Sequence, residues 1–188
     1  MRKLIMTAFS LLLFLVSLNA QTPDRHYTVI VSLDGFRWDY PTMYKTPNLD
    51  RMGQDGVKAV MLPSFPASTF PNHYTLATGL VPDHNGIINN TFWDAENHRQ
   101  YSMGDSASRY NPDYYLGEPI WVTAQKQGLK TANMYWVGSD IAIKGTYPTH
   151  YRMWNAKPFL TFEQRIDSVL TWLQKPESEA SQTHHAIF

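Results

Sequence analysis

Residues 66–88 read Pro66-Ala-Ser-Thr-Phe-Pro-Asn-His-Tyr-Thr-Leu-Ala-Thr-Gly-Leu-Val-Pro-Asp-His-Asn-Gly-Ile-Ile88. Within this stretch Thr69 stands where a loop enters a short predicted helix, with Pro71 in the first turn and Gly79 at the end. A hydroxyl at a helix N-terminus faces unpaired backbone N–H groups and a partial positive charge. The stretch therefore predicts a site where a phosphate can bind beside a hydroxyl.

A segment about thirty-five residues upstream supplies a carboxylate. Residues 27–33 form an apolar, β-branched run that predicts a buried strand, and the run ends in Asp34-Gly35. Open α/β sheets bind their ligands at the C-terminal edge of the strands, which is where Asp34 would lie. A carboxylate and a hydroxyl offered from two such edges can share one hard or borderline metal ion.

Strands and helices alternate along the chain, which predicts an α/β fold. We predict strands at residues 27–33, 57–62 and 130–136, and the start of another at 184–188. We predict helices at residues 46–56, 70–78, 119–127 and after the capping box of residues 161–164. Residues 90–109 are polar and without periodicity, and we interpret them as a long loop or small excursion.

Length and composition limit the number of domains, the kinds of partner and the possible zinc ligands. The 188 residues suffice for one domain with a core, and 16 basic residues balance 16 acidic ones. This charge balance gives no reason to expect a nucleic acid polymer or a membrane surface as partner. The sequence contains no cysteine, so any zinc must be held by aspartate, histidine and hydroxyl ligands.

The first twenty residues predict a signal peptide, residues 1–20. Arg2 and Lys3 precede an apolar run at residues 4–18, and Leu18-Asn-Ala20 is a suitable cleavage site before Gln21. The alternative is a membrane anchor, for which about fifteen apolar residues are short. We therefore expect residues 21–188 to be exported, periplasmic or secreted, without a membrane span; the absence of cysteine suits a bacterial periplasm.

Three separate motifs, in order, resemble the nucleotide pyrophosphatase/phosphodiesterase family of the alkaline phosphatase superfamily. They are Val31-Ser-Leu-Asp-Gly-Phe-Arg-Trp-Asp-Tyr40, Thr69-Phe-Pro-Asn-His73 and Gly117-Glu-Pro-Ile-Trp121. The resemblance is collinear from about Tyr27 to the C-terminus. It implies a mostly parallel sheet sandwiched by helices, here C-terminally incomplete. It also implies a hydrolase that cleaves phosphodiester or pyrophosphate bonds of nucleotides.

The resemblance assigns roles to three residues near the helix N-terminus. Thr69 is implied to be the nucleophile and a zinc ligand, and Asp34 a ligand of the same zinc. Asn90 stands where the family places an amide that donates to a phosphoryl oxygen. The plainer interpretations are an N-cap threonine, an aspartate in a turn before glycine, and a turn asparagine.

The resemblance also implies a substrate pocket. The family stacks a nucleobase between the aromatic residue after the nucleophile, here Phe70, and a second one, here Trp154. Many members carry tyrosine at that second position, but a flat ring still stacks on any base. Trp136 and Asp140 match wall positions, and Arg109 falls where some relatives carry a lysine. For Trp136, core packing is an equally good interpretation.

The family site holds two zinc ions through three aspartates, three histidines and the threonine. Only Asp34 and Thr69 of that set fall in this sequence, since the pairs Asp83-His84 and Asp94/His98 lie in turns and loops and are interpreted as structural. We therefore expect the remaining ligands beyond residue 188, and the 188 residues alone to be inactive. The run at 184–188 stops where a strand has barely begun.

Two other classes of function remain open from the sequence. The first keeps the superfamily but acts on a lipid headgroup phosphodiester or a phosphomonoester. The second is an exported, non-catalytic protein that uses the helix N-terminus to hold an anion. The oligomeric state has no signature in the sequence.

Overall fold

The computed structural model describes residues 27–174 and 185–187. In chain order its elements are β1 (Tyr27–Val29), α1 (Tyr40–Met43), α2 (Pro47–Asp55), α3 (Thr69–Thr78), α4 (Pro82–Asn85), β2 (Thr91–Asp94), β3 (Arg99–Ser102), α5 (Ser106–Arg109), a 3₁₀ turn (Pro112–Tyr114), α6 (Ile120–Lys126), β4 (Lys130–Met134), β5 (His150–Arg152), α7 (Phe162–Leu173) and β6 (His185–Ile187). The predicted α/β class is confirmed.

The main sheet has four strands in the order β1-β6-β4-β5, and every neighbouring pair is parallel. Strand β6 therefore lies between β1 and β4, with His185 opposite both Tyr27 and Lys130. Parallel neighbours require crossover connections, which the helices between the strands provide.

Because the strands are parallel, their C-terminal ends meet at one edge of the sheet. Asp34 follows β1, Asp140 follows β4, and Trp154 follows β5 by two residues. Three of the predicted site residues are thus delivered to the same edge by three different strands. This edge is where the candidate site forms.

The core lies around α3 and contains mostly aromatic and branched side chains. Its buried members include Tyr74, Ile87, Tyr101, Trp121 and Ile143, all with no measurable exposure. The motif that ends in Trp121 contributes through Gly117, whose φ of 77° suits glycine and whose added Cβ would lie 2.7 Å from Leu80 Cδ1. This glycine lets the chain pass close to the end of α3 and start α6.

Two predicted strands differ from the structure. The strand predicted at 27–33 extends only over Tyr27–Val29 and is exposed rather than buried. At 57–62 no strand forms; Val57 is 96% and Leu62 88% exposed. An apolar run adopts a strand when a partner strand and a packed face are available, and in the described part of the chain this segment has neither.

Residues 90–109, interpreted as a long loop or small excursion, are not an irregular loop but a small excursion with regular structure. They form a hairpin in which β2 pairs antiparallel with β3, with Phe92 opposite Tyr101, followed by the short helix α5. The Phe92 ring stacks on the Tyr101 ring at 4.8 Å and so attaches the hairpin to the core.

The remaining helix predictions are confirmed to within one or two residues. The capping box predicted before α7 is present, with Thr161 accepting from the Gln164 N–H and Gln164 accepting from the Thr161 N–H. The strand predicted at 130–136 forms as β4 over Lys130–Met134. The start of a strand predicted at 184–188 is β6.

The predicted signal peptide, residues 1–20, lies outside the described residues, as does the linker that precedes β6. Across the described ranges, 27–174 and 185–187, no helix has both the length and the apolar character needed to cross a membrane.

Candidate active site

Helix α3 begins at Thr69 and ends at Gly79, which adopts a φ of 69° and closes the helix with its N–H on Thr75 O. Both ends are as predicted. Asn72, in the first turn, holds the loop that leads into Thr69. Its Oδ1 accepts from the Ser64 N–H at 2.8 Å, and its Nδ2 donates to the carbonyl of Pro66. The sequence analysis did not single out Asn72.

Asp34 lies beside Thr69. The Thr69 hydroxyl donates to Asp34 Oδ2 at 3.1 Å, across 35 positions of sequence. Asp34 sits on a tight turn in which the Phe36 N–H bonds Leu33 O, and Gly35 takes a φ of 70°. The turn exposes the carboxylate at the sheet edge, so the carboxylate and the hydroxyl face the same space.

Asn90 completes this group, which we call the threonine site (Asp34, Thr69 and Asn90). Asn90 Oδ1 accepts from the Phe70 backbone N–H at 2.9 Å. The bond satisfies one of the free N–H groups of the helix N-terminus and fixes the orientation of the side chain. Because the oxygen is used in this way, the amide NH₂ is the part of Asn90 that remains to donate to a ligand.

His73 lies one helical turn after Thr69 and is held at both ring nitrogens. Nδ1 lies 2.8 Å from Thr69 O and Nε2 lies 2.8 Å from Ser32 Oγ. A carbonyl oxygen can only accept, so Nδ1 carries a proton and donates to it. Neither nitrogen is free to act as a base on the Thr69 hydroxyl.

The predicted substrate residues form a second group, the aromatic pocket (Phe70, Arg109, Tyr110, Asp140 and Trp154). Arg109 is 9% and Asp140 4% exposed, and their side chains pair, with Arg109 Nη2 3.5 Å from Asp140 Oδ2. The same carboxylate oxygen accepts from the Trp154 backbone N–H at 3.0 Å. Asp140 therefore fixes both the cation and the chain that carries the Trp154 ring.

Three rings surround the guanidinium of Arg109. Its central carbon lies 5.3 Å from the centre of the Phe70 ring, 5.2 Å from Tyr110 and 5.5 Å from Trp154. Such contacts between a cation and ring faces are attractive, and more so away from water. Burial, followed by the charge of Asp140, raises the pKa of the Tyr110 hydroxyl, so this group stays neutral.

Three buried polar atoms of the aromatic pocket have no hydrogen-bond partner: Arg109 Nε, the Tyr110 hydroxyl and Asp140 Oδ1. Unpaired buried donors and acceptors are uncommon in folded proteins. Trp154, in contrast, is 47% exposed and covers the open side of the pocket. Trp136 is buried beneath α3, where its indole N–H donates to His73 O at 3.0 Å.

The structure thus places the predicted site residues other than Trp136 in two adjoining groups, the threonine site and the aromatic pocket. Trp136 lies beneath α3. Asp94 accepts from the backbone and side chain of Asn97 at the hairpin turn, and Asp83 and His84 lie in the exposed short helix α4. Sequence reasoning missed the anchoring roles of Asn72, Ser32 and His73. For Asn72 and His73 the signal was their spacing, because side chains three and four positions after Thr69 lean back toward the helix start; Ser32 has no such signal.

The threonine site contains oxygen donors of the kind that zinc binds. A carboxylate oxygen and a hydroxyl oxygen 3.1 Å apart are donors that zinc accepts, so Asp34 and Thr69 fit as two of its ligands. Among residues 27–174 and 185–187 there is no group of three or more histidine, aspartate or glutamate side chains placed to hold a metal ion.

The chain belongs to a family of phosphoester hydrolases with this α/β fold: the model of the type I phosphodiesterase/nucleotide pyrophosphatase family matches residues 28–186. Among curated relatives, ectonucleotide pyrophosphatase/phosphodiesterase family member 1 of Homo sapiens is 43% identical over 155 residues, covering 81% of this chain and 16% of its own. Member 3 of Bos taurus is 42% identical over 154 residues, covering 80% and 17%.

Venom phosphodiesterase 2 of Crotalus adamanteus is 40% identical over 154 residues, which is 80% of this chain and 19% of the venom protein. The chain therefore spans less than a fifth of the length of these curated relatives. A solved structure, murine ectonucleotide pyrophosphatase/phosphodiesterase 5, superposes with a TM-score of 0.74 at 29% identity, covering 88% of this chain and 42% of its own. Another is an inactive threonine-to-alanine variant of that murine protein in complex with AMP, also with a TM-score of 0.74.

Proposed function

We propose that residues 21–188 form the N-terminal part of the catalytic domain of a zinc-dependent phosphodiesterase or nucleotide pyrophosphatase, with Thr69 as nucleophile. The observation that carries the proposal is the hydroxyl of Thr69 at the start of α3, 3.1 Å from Asp34 and one residue before the N–H that Asn90 caps. The inactivity of the murine threonine-to-alanine variant supports it.

In this proposal Thr69 attacks the phosphorus of a nucleotide ester in line with the leaving group. The Thr69 Oγ–P bond forms as the bond to the leaving oxygen breaks, and water later releases the product from the threonine. The Asn90 amide donates to a non-bridging oxygen of the phosphoryl group as charge develops there. Two bound zinc ions would supply positive charge that favours the ionised threonine hydroxyl and the attacking water.

The aromatic pocket is proposed to hold the base. Phe70 and Trp154 offer ring faces, which stack on any nucleobase. Arg109 Nε and Asp140 Oδ1 are buried polar atoms without a hydrogen-bond partner close to these rings. The AMP bound to the murine relative supports a nucleotide as ligand. Phosphodiesters with other leaving groups remain compatible with the threonine site alone.

Export of the protein is proposed from the signal peptide predicted at residues 1–20. The names of the relatives, ectoenzymes of mammals and phosphodiesterases of venom, support an extracytoplasmic location. The remaining zinc ligands are proposed to come from residues beyond 188 in the full-length protein. The three-ligand requirement of a catalytic zinc site supports this, since Asp34 and Thr69 are two.

The test is Thr69→Ala in the full-length protein, assayed with a nitrophenyl nucleotide ester. We expect kcat to fall by at least about a thousandfold, because a covalent catalyst has lost its reacting atom. Zinc should stay partly bound, since most ligands lie elsewhere. Thr69→Ser, which keeps the hydroxyl, should be milder, and Thr78→Ala serves as a control on the same helix. Activity within about tenfold of wild type would refute the nucleophile assignment.

A further inference from the structure

The connection between β1 and the start of α3 depends on few contacts. Strand β1 is exposed, and residues 30–36 that follow it are exposed as well. Among the described residues, the hydrogen bonds that join residues 30–36 to α3 are those of Ser32 with His73 and of Thr69 with Asp34. The second of these is the site itself, so the position of Asp34 depends on the first.

The bond between Ser32 and His73 is well placed to hold Asp34. Ser32 lies two residues before Asp34, on the same exposed segment, and its Oγ is 2.8 Å from His73 Nε2. In the tautomer in which Nδ1–H donates to Thr69 O, Nε2 accepts a hydrogen bond from the Ser32 hydroxyl. One imidazole therefore connects the segment after β1, which carries the carboxylate, to the residue that carries the hydroxyl.

The imidazole is itself held in place by Trp136. The two rings meet edge to face with their centres 5.6 Å apart, and the Trp136 indole N–H donates to the His73 carbonyl. Trp136 is buried and follows β4. Through His73, the chain after β1, the helix α3 and the chain after β4 are joined at one point behind the threonine site.

We propose that His73 and Ser32 are positioning residues that set the separation of Asp34 and Thr69 and thereby the zinc affinity of the threonine site. The inference rests on the proposed function, because it assumes that Asp34 and Thr69 bind zinc. Partners that orient metal ligands without touching the metal commonly contribute about ten- to a hundredfold to metal affinity. Ser32 and His73 act in the same way, through geometry alone.

The experiment measures zinc affinity in the full-length protein by competition with a chromogenic chelator. Ser32→Ala removes the hydroxyl, and His73→Phe removes both nitrogens while keeping a ring against Trp136. We expect each variant to lower, by about tenfold or more, the affinity of the protein for the zinc ion that the chelator removes first. The double variant should lose no more than His73→Phe alone, because the two residues share one bond. Matched controls are Ser106→Ala and His84→Phe, at exposed positions of two short helices.

Two further readouts separate positioning from general stability. The unfolding temperature of the zinc-free variants should stay within a few degrees of wild type, and KM for a nucleotide ester should stay unchanged while kcat falls, because the aromatic pocket is not altered. Zinc affinity within about twofold of wild type in Ser32→Ala would overturn the proposal, as would an equal loss in the controls. Failure of the proposed function is distinguishable, since it appears as an active Thr69→Ala whatever these variants do.

Discussion

The threonine site and the aromatic pocket lie side by side but are built in opposite ways. In the aromatic pocket the charges of Arg109 and Asp140 are buried and paired, and three rings enclose the guanidinium. In the threonine site Asp34 is exposed and accepts a hydrogen bond from the hydroxyl of Thr69. The first group is stabilised by its own members, whereas the second presents polar oxygens to solvent.

From this difference we expect the aromatic pocket to determine substrate binding and the threonine site to determine the chemical step. A pocket held together by an internal ion pair and by ring contacts keeps its shape in the absence of a ligand, so we expect substitutions there to change KM more than kcat. A site whose oxygens have few protein partners needs cations to become reactive, since a threonine hydroxyl is a weak nucleophile without activation. Substitutions in the threonine site should therefore change metal content and kcat.

After Thr69→Ala, the largest effect is expected for Asp34→Asn in the full-length protein. The amide keeps the shape of the side chain but lacks the negative charge that a dication needs, so zinc beside Thr69 should be lost and turnover should fall by more than about a hundredfold. Metal analysis and kinetics on the same preparation provide the measurement. Asp83→Asn, on an exposed helix, is the control; full zinc and full activity in Asp34→Asn would leave Asp34 as a turn residue only.

Asn90→Ala should lower kcat by about a hundredfold with little change in KM, because the lost amide acts on charge that develops during reaction. Asn90 also caps the Phe70 N–H, so the variant loses two functions at once. Asn90→Asp separates them: a carboxylate still accepts from Phe70 but cannot donate. Kinetics should find Asn90→Asp as slow as Asn90→Ala. Asn48→Ala is an exposed control, and a fully active Asn90→Asp would limit Asn90 to capping.

Trp154→Ala should raise KM for a nucleotide ester by about tenfold, the usual cost of one lost base stack, and leave kcat near wild type. A small ester without a base should be hydrolysed as before. Trp93→Ala, on the exposed hairpin, is the control. An equal loss of activity with both substrates would mean that Trp154 supports the fold and does not stack on the base. The aromatic pocket and the threonine site would then not have separate roles.

Much of the threonine site was predictable from the sequence because its residues belong to local patterns. The start of α3 at Thr69 follows from Pro71 and Gly79. Asp34 lies after β1, as predicted, although the strand itself ends at Val29. The bond between Asn90 and the Phe70 N–H was not predicted, because it joins a loop to a helix that is twenty residues away. Contacts of that kind depend on tertiary packing, which no local pattern encodes.

The wrong fold predictions have the same origin. Residues 57–62 carry the apolar, β-branched composition of a strand, but composition cannot supply the neighbouring strand that completes one. The hairpin β2–β3 was missed because its local signal is short. Its strands, Thr91–Asp94 and Arg99–Ser102, have four residues each and no strict alternation of polar and apolar side chains, so the polarity of the whole segment outweighed them.

The smallest effect is expected for Trp154→Tyr, and it tests whether the aromatic pocket recognises a ring or one particular ring. The backbone N–H of residue 154 donates to Asp140, and any residue at that position retains this bond. The phenol ring is flat and can stack on a base, so KM should change by no more than about threefold. Trp154→Leu, apolar but not flat, should resemble Trp154→Ala. If the tyrosine variant were as weak as the alanine variant, the indole itself would be required, through its area or its contact with Arg109, and the pocket would be as sensitive to side-chain identity as the threonine site.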